Sequence, residues 1–169
     1  MRKALIVVDM QNDFISGTLA VPRAQEIVGP IQDKLRDSTL MYDDHEMFVM
    51  FTRDAHPINH CSFNGHGGQW PMHCVKGTMG SELQFGLLVM ADLFDWPIFL
   101  KGENPHREQY SGATDDLVSY LKKNDLYNVE VCGLATDYCV KATAEDLVKL
   151  GYKVTILGDL CRAVNSENN

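Results

Sequence analysis

The sequence predicts an α/β protein, a three-layer α/β/α arrangement built on a doubly wound, mainly parallel sheet. Two observations carry this. Five short β-rich runs are close to continuously apolar, as strands covered on both faces should be. Between them lie segments with apolar residues at helical spacing, and that alternation implies crossover connections between parallel strands. The 169 residues fit one domain, residues 1–169, on the usual size prior. A chain of this length buries about 68–70% of the surface its unfolded form exposes, enough for a core and a pocket.

The elements follow in order. Residues 4–8, Ala-Leu-Ile-Val-Val, form the first strand and lead into Asp9. Residues 23–35 form a helix with Ile27, Ile31 and Leu35 at i, i+4, i+8, one apolar stripe. Residues 46–52 form the second strand. From Asp54 to about Gly86 the chain is rich in His, Gly, Pro, Asn and Ser, and a loop of that length in a compact domain is usually functional. Residues 97–100 form the third strand. Residues 113–123 form a helix with Leu117, Tyr120 and Leu121 on one side. Residues 128–133 form the fourth strand, and residues 137–150 a helix carrying Val140, Leu147 and Val148, with Gly151 placed as its C′ residue. Residues 153–158 form the fifth strand. The remainder either closes a five-stranded sheet or leaves its C-terminal edge incomplete.

Composition excludes several classes of function. A net charge of −8 with no basic cluster argues against a nucleic-acid partner, which requires Lys and Arg to release counterions from phosphates. No apolar run approaches the ~20 residues of a membrane span. The apolar stretch at residues 4–8 is too short for a signal-peptide core, so the expected location is the cytoplasm. Five cysteines, Cys61, Cys74, Cys132, Cys139 and Cys161, with no C-x-x-C pair, disfavour a disulfide framework and leave room for one reactive thiol.

In an open parallel sheet, ligands bind outside the carboxyl ends of the strands. Asp9 follows the first strand, Asp54 and His56 the second, and Lys101 the third. Cys139 opens the helix after the fourth. Asp9 reads either as a turn carboxylate or as a general base. No Gly-rich turn follows it, so a dinucleotide fingerprint is absent. Lys101 reads either as a solvated edge charge or as a cation that keeps a carboxylate ionised and lowers a thiol pKa. With Thr136 or Asp137 as the cap, Cys139 lies in the first turn, where the helix dipole favours thiolate and backbone N–H groups can receive an oxyanion. Asp54-Ala55-His56 is a D-x-H pair suited to Zn, Fe or Mn, with His60, His66 and His73 as further candidates in the loop. Phe14 and Trp70 are either core or the walls of a flat aromatic substrate site.

Taken together, these segments resemble the nicotinamidase/pyrazinamidase branch of the isochorismatase-like cysteine hydrolases. The residues that carry the resemblance are Ile6-Val7-Val8-Asp9-Met10-Gln11-Asn12-Asp13-Phe14, Thr52-Arg53-Asp54-Ala55-His56-Pro57, Trp70-Pro71-Met72-His73-Cys74, Lys101-Gly102, Tyr110-Ser111-Gly112 and Gly133-Leu134-Ala135-Thr136-Asp137-Tyr138-Cys139-Val140. The resemblance implies hydrolysis of nicotinamide to nicotinate and ammonia, a step of NAD salvage, with pyrazinamide as a further substrate of some relatives. It implies a catalytic set of Asp9, Lys101 and Cys139, and one divalent metal, zinc first and Fe or Mn next, on Asp54, His56 and His73. His60 or His66 would complete the shell where a further ligand is used. It implies a pocket of Phe14, Trp70 and Tyr110. Backbone N–H groups of Ala135 and Cys139 would form the oxyanion hole, beside a cis Leu134–Ala135 bond. Relatives run on through a further helix and strand, so a homo-oligomer is one way the sheet edge would be completed. The rival within the superfamily is an amidohydrolase acting on a carbamoyl or ureido compound, which the His-rich loop and the W-P-x-H-C segment disfavour.

Overall fold

The computed structural model describes residues 2–39 and 47–165. Five parallel strands form one sheet in the order β3-β2-β1-β4-β5. They are β1 (Lys3–Val8), β2 (Met47–Asp54), β3 (Ile98–Lys101), β4 (Asn128–Leu134) and β5 (Lys153–Arg162). Successive residues of a strand face opposite sides, and every residue of β1 from Ala4 to Val8 is fully buried. Both faces of the central strand are therefore covered, which is the three-layer arrangement the apolar runs predict. Part of the second predicted strand, Glu46, lies outside the described residues.

The helices are α1 (Asn12–Ile15), α2 (Val28–Thr39), α3 (Phe85–Leu93), α4 (Asp115–Lys123) and α5 (Lys141–Lys149). Ile27, Ile31 and Leu35 are fully buried, as their spacing requires. The helix predicted over 23–35 instead begins as a 3-10 turn, Ala24–Ile27, before α2. Pro30 has no N–H to donate to the Glu26 carbonyl, so regular α bonding starts only after it. α4 is capped by Thr114, whose hydroxyl accepts the Leu117 N–H at 3.3 Å, with acidic residues in its first turn and lysines in its last. Gly151 ends α5 at φ 90°. No helix among the described residues is long and apolar enough to cross a membrane.

The strand order reverses at β1. The chain builds outward through β2 and β3, then returns to the other side for β4 and β5. The C-terminal ends of β1 and β4 thus flank the switch point, where an α/β sheet opens a crevice. Register brings the polar residues there. Val8 pairs with Thr52 on one side and Gly133 on the other, and Asp54 pairs with Lys101. β3 runs one residue later than the predicted 97–100, so Lys101 ends the strand rather than following it.

Candidate active site

Four side chains meet in a buried cluster: Asp9, Asp54 and Lys101 at the ends of β1, β2 and β3, and Cys139 in the turn after β4. Lys101 is fully buried, and its Nζ lies 2.9 Å from Asp9 Oδ2, 2.5 Å from Asp54 Oδ1 and 3.6 Å from Cys139 Sγ. The Thr52 hydroxyl donates to Asp9 Oδ1 at 2.7 Å, so the β1–β2 register fixes one oxygen of Asp9. The chain turns at Asp9 with φ 48°, a conformation that persists where the surroundings determine it.

The charges in this cluster are set by opposing effects. Burial disfavours the ammonium of Lys101, but Asp54 and Asp9 beside it outweigh burial and hold it charged. Burial raises Asp54 less than Lys101 and His56 lower it, so it stays ionised well below the usual carboxylate range. Burial raises Asp9 above its ordinary value, against the pull of Lys101. At Cys139 burial works against the thiolate that the dipole of the turn would favour. Burial pushes its thiol well above the ordinary value; Lys101 beside it lowers it, and Asp9 and Asp54 raise it.

Cys139 sits in a five-residue π-helical turn, Thr136–Val140, which follows β4 and leads directly into α5. Neither Thr136 nor Asp137 caps it. The turn already includes both residues, so its N-cap is Ala135, which has no side-chain acceptor, and Asp137 instead accepts the backbone N–H groups of Val164 and Asn165. The Leu134–Ala135 peptide is cis. Thr143 Oγ1 donates to the Cys139 carbonyl at 2.6 Å and accepts the Gly112 N–H at 2.8 Å, tying the turn to the loop that carries Tyr110.

A second cluster abuts the first through Asp54. One ligand atom each of Asp54, His56 and His73 lies within 4.8 Å of the others, and all three residues are buried. His56 Nδ1 faces the Gly102 carbonyl at 2.9 Å and His73 Nδ1 the Pro71 carbonyl at 2.7 Å. With Nδ1 donating to these carbonyls each ring is oriented from behind, as a metal-binding histidine is, and His56 Nε2 faces Asp54 Oδ2 at 3.6 Å. Burial lowers the His73 pKa toward the neutral, ligating form. For His56 burial works the same way, but Asp54 beside it outweighs burial and raises it. This donor set fits a divalent cation. Gly102, at φ 68°, is required here: a Cβ would fall 2.5 Å from His56 Cε1.

The two extra loop candidates are placed differently. His60 stacks on His56 at 4.1 Å between ring centres, but both of its nitrogens are engaged, with Ser62 Oγ at 2.7 Å and the Arg107 carbonyl at 3.2 Å. His66 is exposed, in a 3-10 turn. Neither joins the Asp54–His56–His73 group.

One cavity opens on both clusters. Phe14, Trp70 and Tyr110 line it as expected, together with Asp54, His56, His73, Ala135 and Cys139. Trp70 Nε1 donates to the Tyr110 hydroxyl at 3.1 Å. Tyr138, Leu19, Val21, Glu108 and Val164 also line it and were not foreseen. Tyr138 meets the Trp70 ring edge-on at 5.1 Å and stands next to Cys139 in sequence, which is the signal that could have found it. Two positioning residues were also missed. Gln11 brackets Asp54, accepting its N–H and donating to its carbonyl, both at 2.8 Å. Asp13 accepts the Cys74 N–H at 2.7 Å, tying the strand of loop that follows His73 to α1.

The comparisons agree with this geometry. The isochorismatase domain family matches residues 3–169. The chain is 37% identical to the nicotinamidase of Saccharomyces cerevisiae over an alignment that spans 98% of this chain and 90% of that protein. Among solved structures, the pyrazinamidase of Pyrococcus horikoshii in complex with zinc aligns with a TM-score of 0.85 at 38% identity, covering 98% of this chain and 89% of that one. The yeast nicotinamidase bound to the inhibitor nicotinaldehyde aligns at 0.90 and 34% identity, covering 99% and 90%. With its sheet order, its buried Asp–Lys–Cys cluster and a match over nearly its whole length, the chain belongs to the isochorismatase domain family.

Proposed function

We propose that the protein is a nicotinamidase, hydrolysing nicotinamide to nicotinate and ammonia, with Cys139 as nucleophile, Asp9 as general base and Lys101 as the cation that stabilises their charges. The observation that carries this reading is the buried Lys101 ammonium in contact with Asp9, Asp54 and Cys139 at once.

The chemistry starts from a thiol. Asp9 takes the Cys139 proton as Sγ attacks the carboxamide carbon. Lys101 offsets the negative charge left on the cluster, in a water-poor site where such pairing is strong. The backbone N–H groups of Ala135 and Cys139 receive the oxyanion. Asp9 returns the proton to the nitrogen, and ammonia leaves a thioester on Sγ. Asp9 then removes a proton from the attacking water, nicotinate departs and the thiol is restored. Because burial raises Asp9, it accepts a proton more readily than a surface carboxylate would. Phe14, Trp70, Tyr110 and Tyr138 grip a flat ring. Asp54, His56 and His73 would hold the divalent metal. Bound there, zinc, the ion present with the Pyrococcus relative, would supply a Lewis-acid partner for a ring nitrogen.

The test is ammonia release from nicotinamide and from pyrazinamide, measured with Zn, Mn or Fe(II) supplied. The expected result is release that vanishes in Cys139→Ala and after chelation, and returns with metal. A folded, metal-loaded protein that releases no ammonia from either amide would overturn the reading.

A further inference from the structure

The chain after β5 returns to the site. β5 pairs with β4 in register as far as Ile156 with Val131. The register then shifts, so that Cys161 and Arg162 pair with Gly133 and Leu134. The extra residues of β5 bring its end alongside the stretch of β4 that leads into Ala135 and the Cys139 turn. Ala163 is buried, and Val164 lines the cavity together with Ala135, Tyr138 and Cys139.

Asp137 holds Val164 in that place. Its Oδ1 accepts the Val164 N–H at 2.9 Å and its Oδ2 the Asn165 N–H at 2.9 Å. Bonds to a carboxylate are about twice as strong as neutral ones. The nucleophile's own backbone is secured by other groups: Tyr138 and Val140 donate to the Ala135 carbonyl, and Thr143 donates to the Cys139 carbonyl. The two tasks are thus carried by different groups. Thr143 and the turn's backbone bonds keep Cys139 in place, while both oxygens of Asp137 serve the segment that presents Val164.

We propose that Asp137 is a positioning residue for the hydrolysis: by clamping the backbone of Val164 and Asn165 it holds the Val164 side chain as one wall of the substrate pocket. This rests on the amide-hydrolysis reading above. Loss of a pocket wall weakens ground state and transition state alike, so it raises KM and leaves kcat nearly unchanged.

The experiment is a double-mutant cycle on nicotinamide hydrolysis with the metal-loaded protein, alongside amide hydrogen exchange. Asp137→Ala and Val164→Ala should each raise KM about tenfold, the scale of one or two lost methyl contacts in a pocket. The double variant should be little worse than either, because Asp137 acts through Val164. Asp137→Asn, which keeps one acceptor, should fall between Asp137→Ala and the parent. The Val164 and Asn165 amides should exchange faster in Asp137→Ala while those of β1 do not. Additive effects on KM, or an unchanged KM in Asp137→Ala, would overturn the proposal. If the parent protein itself releases no ammonia, the hydrolysis reading fails and the clamp is judged by exchange alone; unchanged exchange at Val164 and Asn165 would then refute it.

Discussion

Gly133 is the position where one added methyl group should damage the fold and the site together. It lies in β4 opposite Val8 of β1, at φ 111°, and an added Cβ would fall 2.2 Å from the Val8 carbonyl oxygen and 2.9 Å from its nitrogen. Real Cβ contacts are essentially never under 3.0 Å, so the two central strands must part by at least about 0.8 Å. A non-glycine residue at this φ adds about 1–3 kcal/mol of backbone strain, and forced overpacking adds about 1–3 kcal/mol more. At about 2–4 °C per kcal/mol for a chain of this size, Gly133→Ala should melt roughly 5–20 °C below the parent. The site suffers too. Asp9 directly follows Val8, and Cys139 lies six residues beyond Gly133, so the same displacement separates base from nucleophile. A misplacement of about 1 Å can lower a rate by about 10²-fold. Thermal melting and kcat/KM for nicotinamide provide the assay. Gly29→Ala is the control, since a Cβ there meets nothing within 4 Å and the residue is in α2. It should be neutral or stabilising by up to about 1 kcal/mol. A Gly133→Ala protein that melts within about 2 °C of the parent and keeps its kcat/KM would refute the claim that the β1–β4 register sets the catalytic geometry.

Further outcomes follow from single contacts. Lys101→Met leaves Asp9 and Asp54 buried without their cation; it should lower stability by about 3–5 kcal/mol in denaturant melts and abolish ammonia release. Trp70→Phe removes the donor to the Tyr110 hydroxyl and should raise KM for nicotinamide severalfold while the melting temperature changes by a few degrees at most. Glu130 meets Lys3 at 3.2 Å and Lys34 at 3.0 Å, and although burial raises its pKa, these lysines lower it overall. Its contribution is therefore present above the ordinary value of 4.5 and fades as pH falls through the lowered folded value. Glu130→Gln should be slightly less stable than the parent at pH 7, by under about 1 kcal/mol for such a partly exposed pair, and the difference should shrink below pH 4 in melts across that range.

Much of this molecule can be read from its sequence because strong local signals and tertiary demands coincide. The continuous apolar runs of β1 and β4 mark strands buried on both faces, and the Ile27–Ile31–Leu35 stripe marks the buried side of the 3-10 turn and the α2 helix that continues it. The site residues fall at strand ends, where topology must gather them. What was not legible depended on non-periodic sequence or on charge. α3, Phe85–Leu93, escaped because it is apolar almost all round. Leu87 and Ala91 are buried and Leu88 and Met90 pack partly against the core, while Phe85, Val89 and Leu93 are exposed yet equally apolar, so no stripe announces it. The upward push on the Cys139 thiol is not legible from its place in a turn, since helix dipole and lysine both argue for thiolate, while burial and the carboxylates of Asp9 and Asp54 act the other way. Asp137 carries the favoured chemistry of an N-cap, yet it reaches residues 27 and 28 positions away. Gln11 and Asp13 likewise act on backbone distant in sequence, and no local pattern encodes such partners.

The most direct test of the central claim is to quench the metal-loaded protein in acid during turnover of nicotinamide and map the peptides by mass spectrometry. The account predicts a nicotinoyl group on the peptide containing Cys139, absent from Cys61 and Cys74, absent in Cys139→Ala, and lost when the quenched sample is treated with hydroxylamine. Ammonia release that continues in Cys139→Ala, with no acyl group on any cysteine of the parent, would contradict it.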